Sequence, residues 1–334
     1  MKILNMYRNG NYNVMICDDG TKMRFNNEHY FNPQFPESID MKITNYCPYD
    51  CPYCHEDSSV NGRRADLIVK NNGDKIKDSE LLNITYKDCK LKNNFFQTLR
   101  AGTEVAIGGG AVTYHPHLEI FLTLLKNRGI IANMTINEKE INNNQTRLQY
   151  YMQNNLIHGL GISFVNDIAD NHKSLNEFID DCERKGISGN IVIHIIAGVA
   201  SEETIELLRD RGLKVLILGY KDFRRGIDFH KTGNIVDDNF LYLKKNLSTL
   251  INSGAFETVS FDNLAIKQLE VQNILRSDIF KKMYMGDDGQ FTMYMDLPNN
   301  QYAYSSIAPE ERRYQIENDI VIMFDNVRKD RYEK

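Results

Sequence analysis

Residues 191–218 read IVIHIIAGVASEETIELLRDRGLKVLIL. A short apolar run, 191–196, is followed by a segment with helical spacing, 201–211, and then by a second apolar run, 214–218. Strand-length runs separated by one helix-length segment predict a strand–helix–strand unit with its strands parallel. The same alternation recurs on both sides. Strands are expected at 39–44, 104–107, 130–136, 159–164 and 257–261, and helices at 117–128, 140–155, 172–185, 237–252 and 263–276. About seven strands in succession, with no signal of a reversal in order, predict an α/β fold built as a closed or partial barrel.

The flanking segments read differently. Residues 12–27 suggest a small hairpin around Asp19-Gly20, a favoured two-residue turn. The polar stretch 57–80 reads as a surface excursion leading into a helix. From about 279 onward, turn signals at Asp288-Gly289 and Pro298-Asn299-Asn300 separate aromatic-rich runs, which predicts two or three antiparallel strands. Residues 307–334 are charged and read as partly helical. The expected division is an N-terminal hairpin over 1–37, a barrel over 38–277 and a β-rich extension with a charged tail over 278–334.

Composition narrows the function. The chain has 334 residues, 42% of them hydrophobic and 25% charged, so it can bury a core and is not a disordered tail. A net charge of −5 gives no general attraction to nucleic acid or to an anionic membrane. No apolar run reaches the roughly 18 residues that a spanning helix needs. The first residues, MKILNMYRNGNYNVM, lack a long apolar core of the signal-peptide kind. A cytoplasmic protein is expected.

Three of the six cysteines fall together, in Cys47-Pro-Tyr-Asp-Cys51-Pro-Tyr-Cys54, just after the first expected barrel strand. Cys17, Cys89 and Cys182 are scattered. A tight cluster in a large chain argues for metal ligation rather than a disulfide framework. Three thiolates match three irons of a [4Fe–4S] cube and leave the fourth iron open, an arrangement suited to chemistry more than to electron storage. Zinc is the alternative, with His55 as a fourth ligand. Adjacent residues such as Cys54 and His55 rarely reach one metal together.

The segment ITNYCPYDCPYCHE, 43–56, resembles the signature loop of the radical S-adenosylmethionine (SAM) superfamily, including Tyr53 before the third cysteine. The resemblance covers roughly residues 38–262. It implies a partial (β/α)6 TIM-like barrel. It also implies a [4Fe–4S] cluster on Cys47, Cys51 and Cys54 whose open iron chelates SAM. Reductive cleavage would then give a 5′-deoxyadenosyl radical that abstracts hydrogen from a substrate. An electron donor such as flavodoxin or ferredoxin is implied as partner. EVAIGGGAVTYHP, 104–116, reads either as a β–α turn that needs positive φ or, resembling the family's glycine-rich loop, as the segment that nominates Gly109 and Gly110 for the SAM amino group. Ala111 stands where that loop has glutamate, so Ala111→Glu is expected to tighten SAM binding.

Other strand ends supply further candidates. Ser163 resembles a ribose-contacting residue, with a hydroxyl bonded to its own backbone as the alternative. Asn137 has a similar position. The stretch LILGYKDFRRG, 216–226, resembles a sixth-strand segment in which backbone near Leu218 reaches adenine; Lys221, Arg224 and Arg225 are either anion ligands or a solvated loop. His194 reads as a core residue more readily than as a ligand. Gly159 and Gly161 lie on one strand face, where glycine often marks close approach of a ligand or of backbone. Cys89 and Cys182 read as buried thiols. The favoured substrate is a peptide or protein; a nucleotide or tRNA is the enzyme alternative, and a non-catalytic iron–sulfur sensor the third reading.

Overall fold

The structure, a computed structural model, describes residues 2–81, 83–164 and 172–332. The strands are β1 (Ile3–Asn9), β2 (Tyr12–Cys17), β3 (Lys22–Phe25), β4 (Ser38–Thr44), β5 (Ile68–Lys70), β6 (Cys89–Leu91), β7 (Glu104–Gly109), β8 (Ile131–Asn137), β9 (Gly159–Ser163), β10 (Ile191–Ile196), β11 (Lys214–Leu218), β12 (Thr258–Phe261), β13 (Thr292–Asp296), β14 (Gln301–Ala303) and β15 (Tyr314–Gln315). The helices are α1 (Leu118–Asn127), α2 (Gln145–Gln153), α3 (Lys173–Arg184), α4 (Glu202–Leu208), α5 (Arg225–His230), α6 (Ile235–Asn252), α7 (Asn263–Gln268), α8 (Ser277–Met283) and α9 (Ile320–Tyr332).

The central sheet has ten strands in the order β12-β11-β10-β9-β8-β7-β4-β13-β14-β15. From β4 to β12 every neighbouring pair is parallel, and the order follows the sequence without reversal. Crossovers of one hand then carry the connecting helices to one face. Burial agrees. Val105, Ile107, Met134, Ile136, Leu160, Ile162, Ile193, Ile195, Val215 and Ile217 alternate along the strands and share one core with Phe121, Phe178, Leu208 and Leu247 of the helices. Each such side chain contributes about 1.5–3 kcal/mol on burial.

The opposite face breaks the rule that parallel strands are apolar on both sides. In register it carries Asp40 and Lys42 on β4, Ala106 and Gly108 on β7, Thr135 and Asn137 on β8, Gly161 and Ser163 on β9, and His194 on β10. Ala106, Thr135, Gly161, His194, Leu216 and Ser260 line a cavity of about 360 Å³. At the N-terminal ends of the strands this chamber reaches Glu104, Lys214 and residues 16–20 of the small β1–β3 sheet.

Several expectations are corrected. The N-terminal hairpin is a three-stranded antiparallel sheet, because Gly10, with φ +61°, turns β1 back onto β2. Residues 57–80 do not lead into an α-helix; Ala65, Leu67 and Ile68 are buried, and β5 pairs with β6. The C-terminal strands are not all antiparallel: β13 joins β4 in parallel, and β14 and β15 follow antiparallel. The helix expected at 140–155 begins as a 3-10 turn over Glu138–Asn143 before α2.

Candidate functional site

The loop after β4 is closed on itself by backbone pairing. Asn45 N–H donates to the Arg63 carbonyl at 2.7 Å, Cys47 N–H to Ser59 at 2.9 Å and Ser59 N–H to Asn45 at 3.0 Å. Asp50 and Asp57 take left-handed backbone angles, with φ of +45° and +51°, and turn the loop tightly around the cysteines. Cys47, Cys51 and Cys54 are partly buried free thiols at the C-terminal end of the sheet. Burial pushes Cys47 up to about 11, and the neighbouring thiols add to the rise. Burial and Cys54 raise Cys51 as well. Without a cation such sulfurs keep their protons; a bound metal is what would make them thiolates.

The glycine-rich loop is stitched to this loop. Gly110 N–H donates to the Thr44 carbonyl and Ala111 N–H to that of Tyr46, both at 2.7 Å. A Cβ on Gly109 would overlap the Thr44 carbonyl oxygen, and one on Gly110 that of Tyr46. Gly109 also has φ +120°. The two glycines are required by backbone-to-backbone approach. Gly108, which sequence reading passed over, has open space where a Cβ would stand. It lies in register with Lys42, near the end of β7.

Asn137, at the end of β8, lies against the cysteine loop: its Nδ2 donates to Cys51 Sγ at 3.8 Å. It is held there by Glu140, which sequence reading missed. Glu140 Oε1 accepts the Asn137 N–H at 2.9 Å, and Oε2 accepts from Thr113 N–H at 2.9 Å and Thr113 Oγ1 at 2.6 Å. Burial raises the Glu140 carboxyl. The signal was the Asn137-x-x-Glu140 spacing of a capping box. Ser163 pairs in register with Asn137 and so lies beside it. The Leu218 carbonyl, opposite Ile196, is taken by Ala197 N–H at 2.8 Å. Tyr53 packs edge-on against Phe229, with ring centroids 5.7 Å apart, within an apolar group that includes Val199, Tyr220 and Val236.

The cationic stretch 221–225 is not a solvated loop. Lys221 Nζ lies 3.1 Å from His55 Nε2 and donates to Ser306 Oγ at 3.0 Å. Arg224 donates to the Glu56 carbonyl at 2.8 Å, and Arg225 to Asp50 at 2.5 Å and the Ser58 carbonyl at 2.7 Å. These side chains fold over the cysteine loop. Below it, buried Lys42 pairs with Glu56 at 2.5 Å and Asp296 at 3.3 Å, and Tyr294 donates to Glu56 at 3.1 Å. His55 is therefore engaged away from the thiols, and burial together with Lys221 pushes it down to about 4. Among the described residues, no three Cys, His, Asp or Glu side chains converge as they would on a single metal ion.

On the polar face of the sheet, in register with Ala106, Asp40 is walled by protein, which pushes its carboxyl up to about 6; Lys221 opposes the shift, and Asp288 and Asp262 add to it. His194 is pushed down to about 4 by burial alone, and its Nδ1 has no hydrogen-bond partner among the described residues. Its ring occupies the space left by the missing side chain of Gly161, and Asn133 fills that beside Gly159. The β9 glycines thus accommodate neighbouring side chains. Cys89 and Cys182 are buried, as expected.

No family model and no curated protein sequence matches the chain. Solved structures do. SuiB of Streptococcus suis bound to S-adenosylmethionine superposes with a TM-score of 0.62 at 10% identity, over 99% of this chain and 89% of that one. SuiB bound to precursor peptide SuiA gives a TM-score of 0.52 at 12% identity, over 90% of this chain and 68% of that one. SuiB by itself gives 0.55 at 10% identity. At 10–12% identity the likeness is one of fold: the chain has the fold of SuiB.

Proposed function

We propose that this chain is a radical SAM enzyme that acts on a peptide. Its seven consecutive parallel strands are read as a partial barrel. The observation that carries the proposal is the placing of three thiols, Cys47, Cys51 and Cys54, at the C-terminal end of a sheet whose inner face is polar and small-sided, the end where such folds hold their chemistry. Support for SAM and for a peptide substrate comes from SuiB, solved with each.

The donor set fits a [4Fe–4S] cluster. Three soft sulfurs sit on one loop, and His55 is held by Lys221 and Glu56, which favours the cluster over zinc. Cys47, Cys51 and Cys54 would hold the cluster, which when bound supplies the electron for reductive cleavage of SAM. The chain's own residues do the rest. Asn137 directs an N–H at Cys51, and Glu140 fixes Asn137. Gly108 leaves room for a ligand beside the glycine-rich loop. Ser163 and the backbone near Leu218 complete the proposed SAM pocket, with Tyr53 packing its far wall. Enclosure by the strand-end loops keeps water from a reactive intermediate.

Anaerobic reconstitution tests the reading. About four irons per chain are expected, lost on changing any one of Cys47, Cys51 or Cys54 to Ala and kept on changing Cys17, Cys89 or Cys182. Dithionite and SAM should then release 5′-deoxyadenosine. Stoichiometric zinc with no broad visible absorbance would sink the cluster. A cluster without 5′-deoxyadenosine would leave a sensor.

A further inference from the structure

Arg225 starts α5, far along the chain from the cysteines, yet its side chain crosses their loop. Nη1 donates to Asp50 Oδ1 at 2.5 Å and Nη2 to the Ser58 carbonyl at 2.7 Å. Nε is buried and meets no acceptor in hydrogen-bond geometry among the described residues, although Asp57 Oδ1 lies 3.2 Å away. The Asp50 and Asp57 side chains are 92% and 63% exposed, so water screens their charge, whereas the Arg225 side chain is 23% exposed. The guanidinium spans the loop from Asp50, next to Cys51, to Ser58, four residues beyond Cys54. A cation largely withdrawn from water thus lies across the loop that carries the thiols, while its counter-charges stand in solvent.

We propose that Arg225 is the charge partner of the cysteine loop, raising the electron affinity of the cluster held there; this rests on the cluster reading above. Guanidinium keeps its charge at any working pH. Reduction adds negative charge, and a nearby cation stabilises the reduced form. Net charge and hydrogen bonds to sulfur are the means by which proteins set iron–sulfur potentials. The remaining loop contacts of Arg225 are to Asp50, Asp57 and the Ser58 carbonyl, so it serves as fastener as well as charge, and the experiment must separate the two.

Arg225→Gln removes the charge and keeps a hydrogen-bonding side chain; Arg225→Lys keeps the charge and loses the fork. Iron content and the midpoint potential, followed by electron paramagnetic resonance, are measured on reconstituted protein. The expected result is unchanged iron in both variants and an approximately tenfold smaller one-electron reduction constant in Arg225→Gln, a shift of about 59 mV downward, with Arg225→Lys near the wild type. An unshifted potential in Arg225→Gln overturns the proposal. So does equal loss of iron from both variants, which would make Arg225 a fastener alone. If the wild-type protein takes up no cube, the cluster reading fails and this proposal falls with it; a wild-type cube with an unshifted potential in Arg225→Gln overturns this proposal alone.

Discussion

At the scale of single residues, the site depends on groups whose burial makes their protonation or pairing costly to change. His194 illustrates the sign. Its folded value, about 4, lies below the ordinary 6.5, so as pH falls the unfolded chain takes up the proton first. The stability that the neutral ring contributes is whole above about pH 6.5 and is lost progressively down to pH 4. His194→Gln should therefore gain on the wild type between pH 6.5 and 4 in urea titrations at fixed pH. A constant gap would mean that the ring accepts its proton inside the chamber. Ala111 carries a second expectation, revised by the fold. Being 1% exposed, it offers a glutamate no solvent, and Glu140 already brings a carboxylate to Thr113. Ala111→Glu should lower the unfolding midpoint without tightening SAM, as measured by calorimetry. Tighter binding would restore the simpler reading of the loop.

Elements meet where side chains were given up. Gly161 on β9 lies beside His194 on β10, whose ring stands where an alanine methyl would go. Gly161→Ala should cost about 1–3 kcal/mol by overpacking. In a His194→Ala background most of that cost should disappear, because neighbours that share a space are non-additive. Additive effects would place the strain in the backbone. Between β4, β13 and the cysteine loop the tie is ionic. Lys42 is 2% exposed, and Lys42→Ala would leave Asp296 buried without its cation and Glu56 with only Arg224, at 3.8 Å, as a cation among the described residues. The expected loss is about 3–5 kcal/mol, read by urea unfolding, with iron uptake falling because Glu56 follows Cys54 by two residues.

For the whole molecule, the C-terminal segment decides whether the sheet survives. β13 extends the central sheet by pairing with β4, and Ile320, Met323, Phe324 and Val327 of α9 lie in the main core. Deleting 278–334 exposes the edge of β4 and that apolar surface, so the truncated chain should be insoluble or fail to retain iron after reconstitution. A soluble truncation that keeps its cluster but loses substrate turnover would instead mark the segment as a substrate cover. No helix among the described residues is long and apolar enough to cross a membrane.

The local code was enough for what repeats locally. Period and run length located the strands and helices of the central sheet, and Cys47, Cys51 and Cys54 marked one loop as the place to look for a site, since spacing along one loop is a property of neighbouring residues. It did not supply β1, whose turn depended on recognising Gly10, or the parallel pairing of β13 with β4, which joins segments more than 250 positions apart. Only the folded chain showed that Gly109 and Gly110 serve backbone contact with Thr44 and Tyr46, that Glu140 stands behind Asn137, and that Arg225 lies across the cysteines. Each of these is a contact between separate strand-end loops. A sequence pattern fixes which face of its own strand a side chain takes, but which loops meet at the end of the sheet depends on strand order, and that is settled by packing the whole core at once.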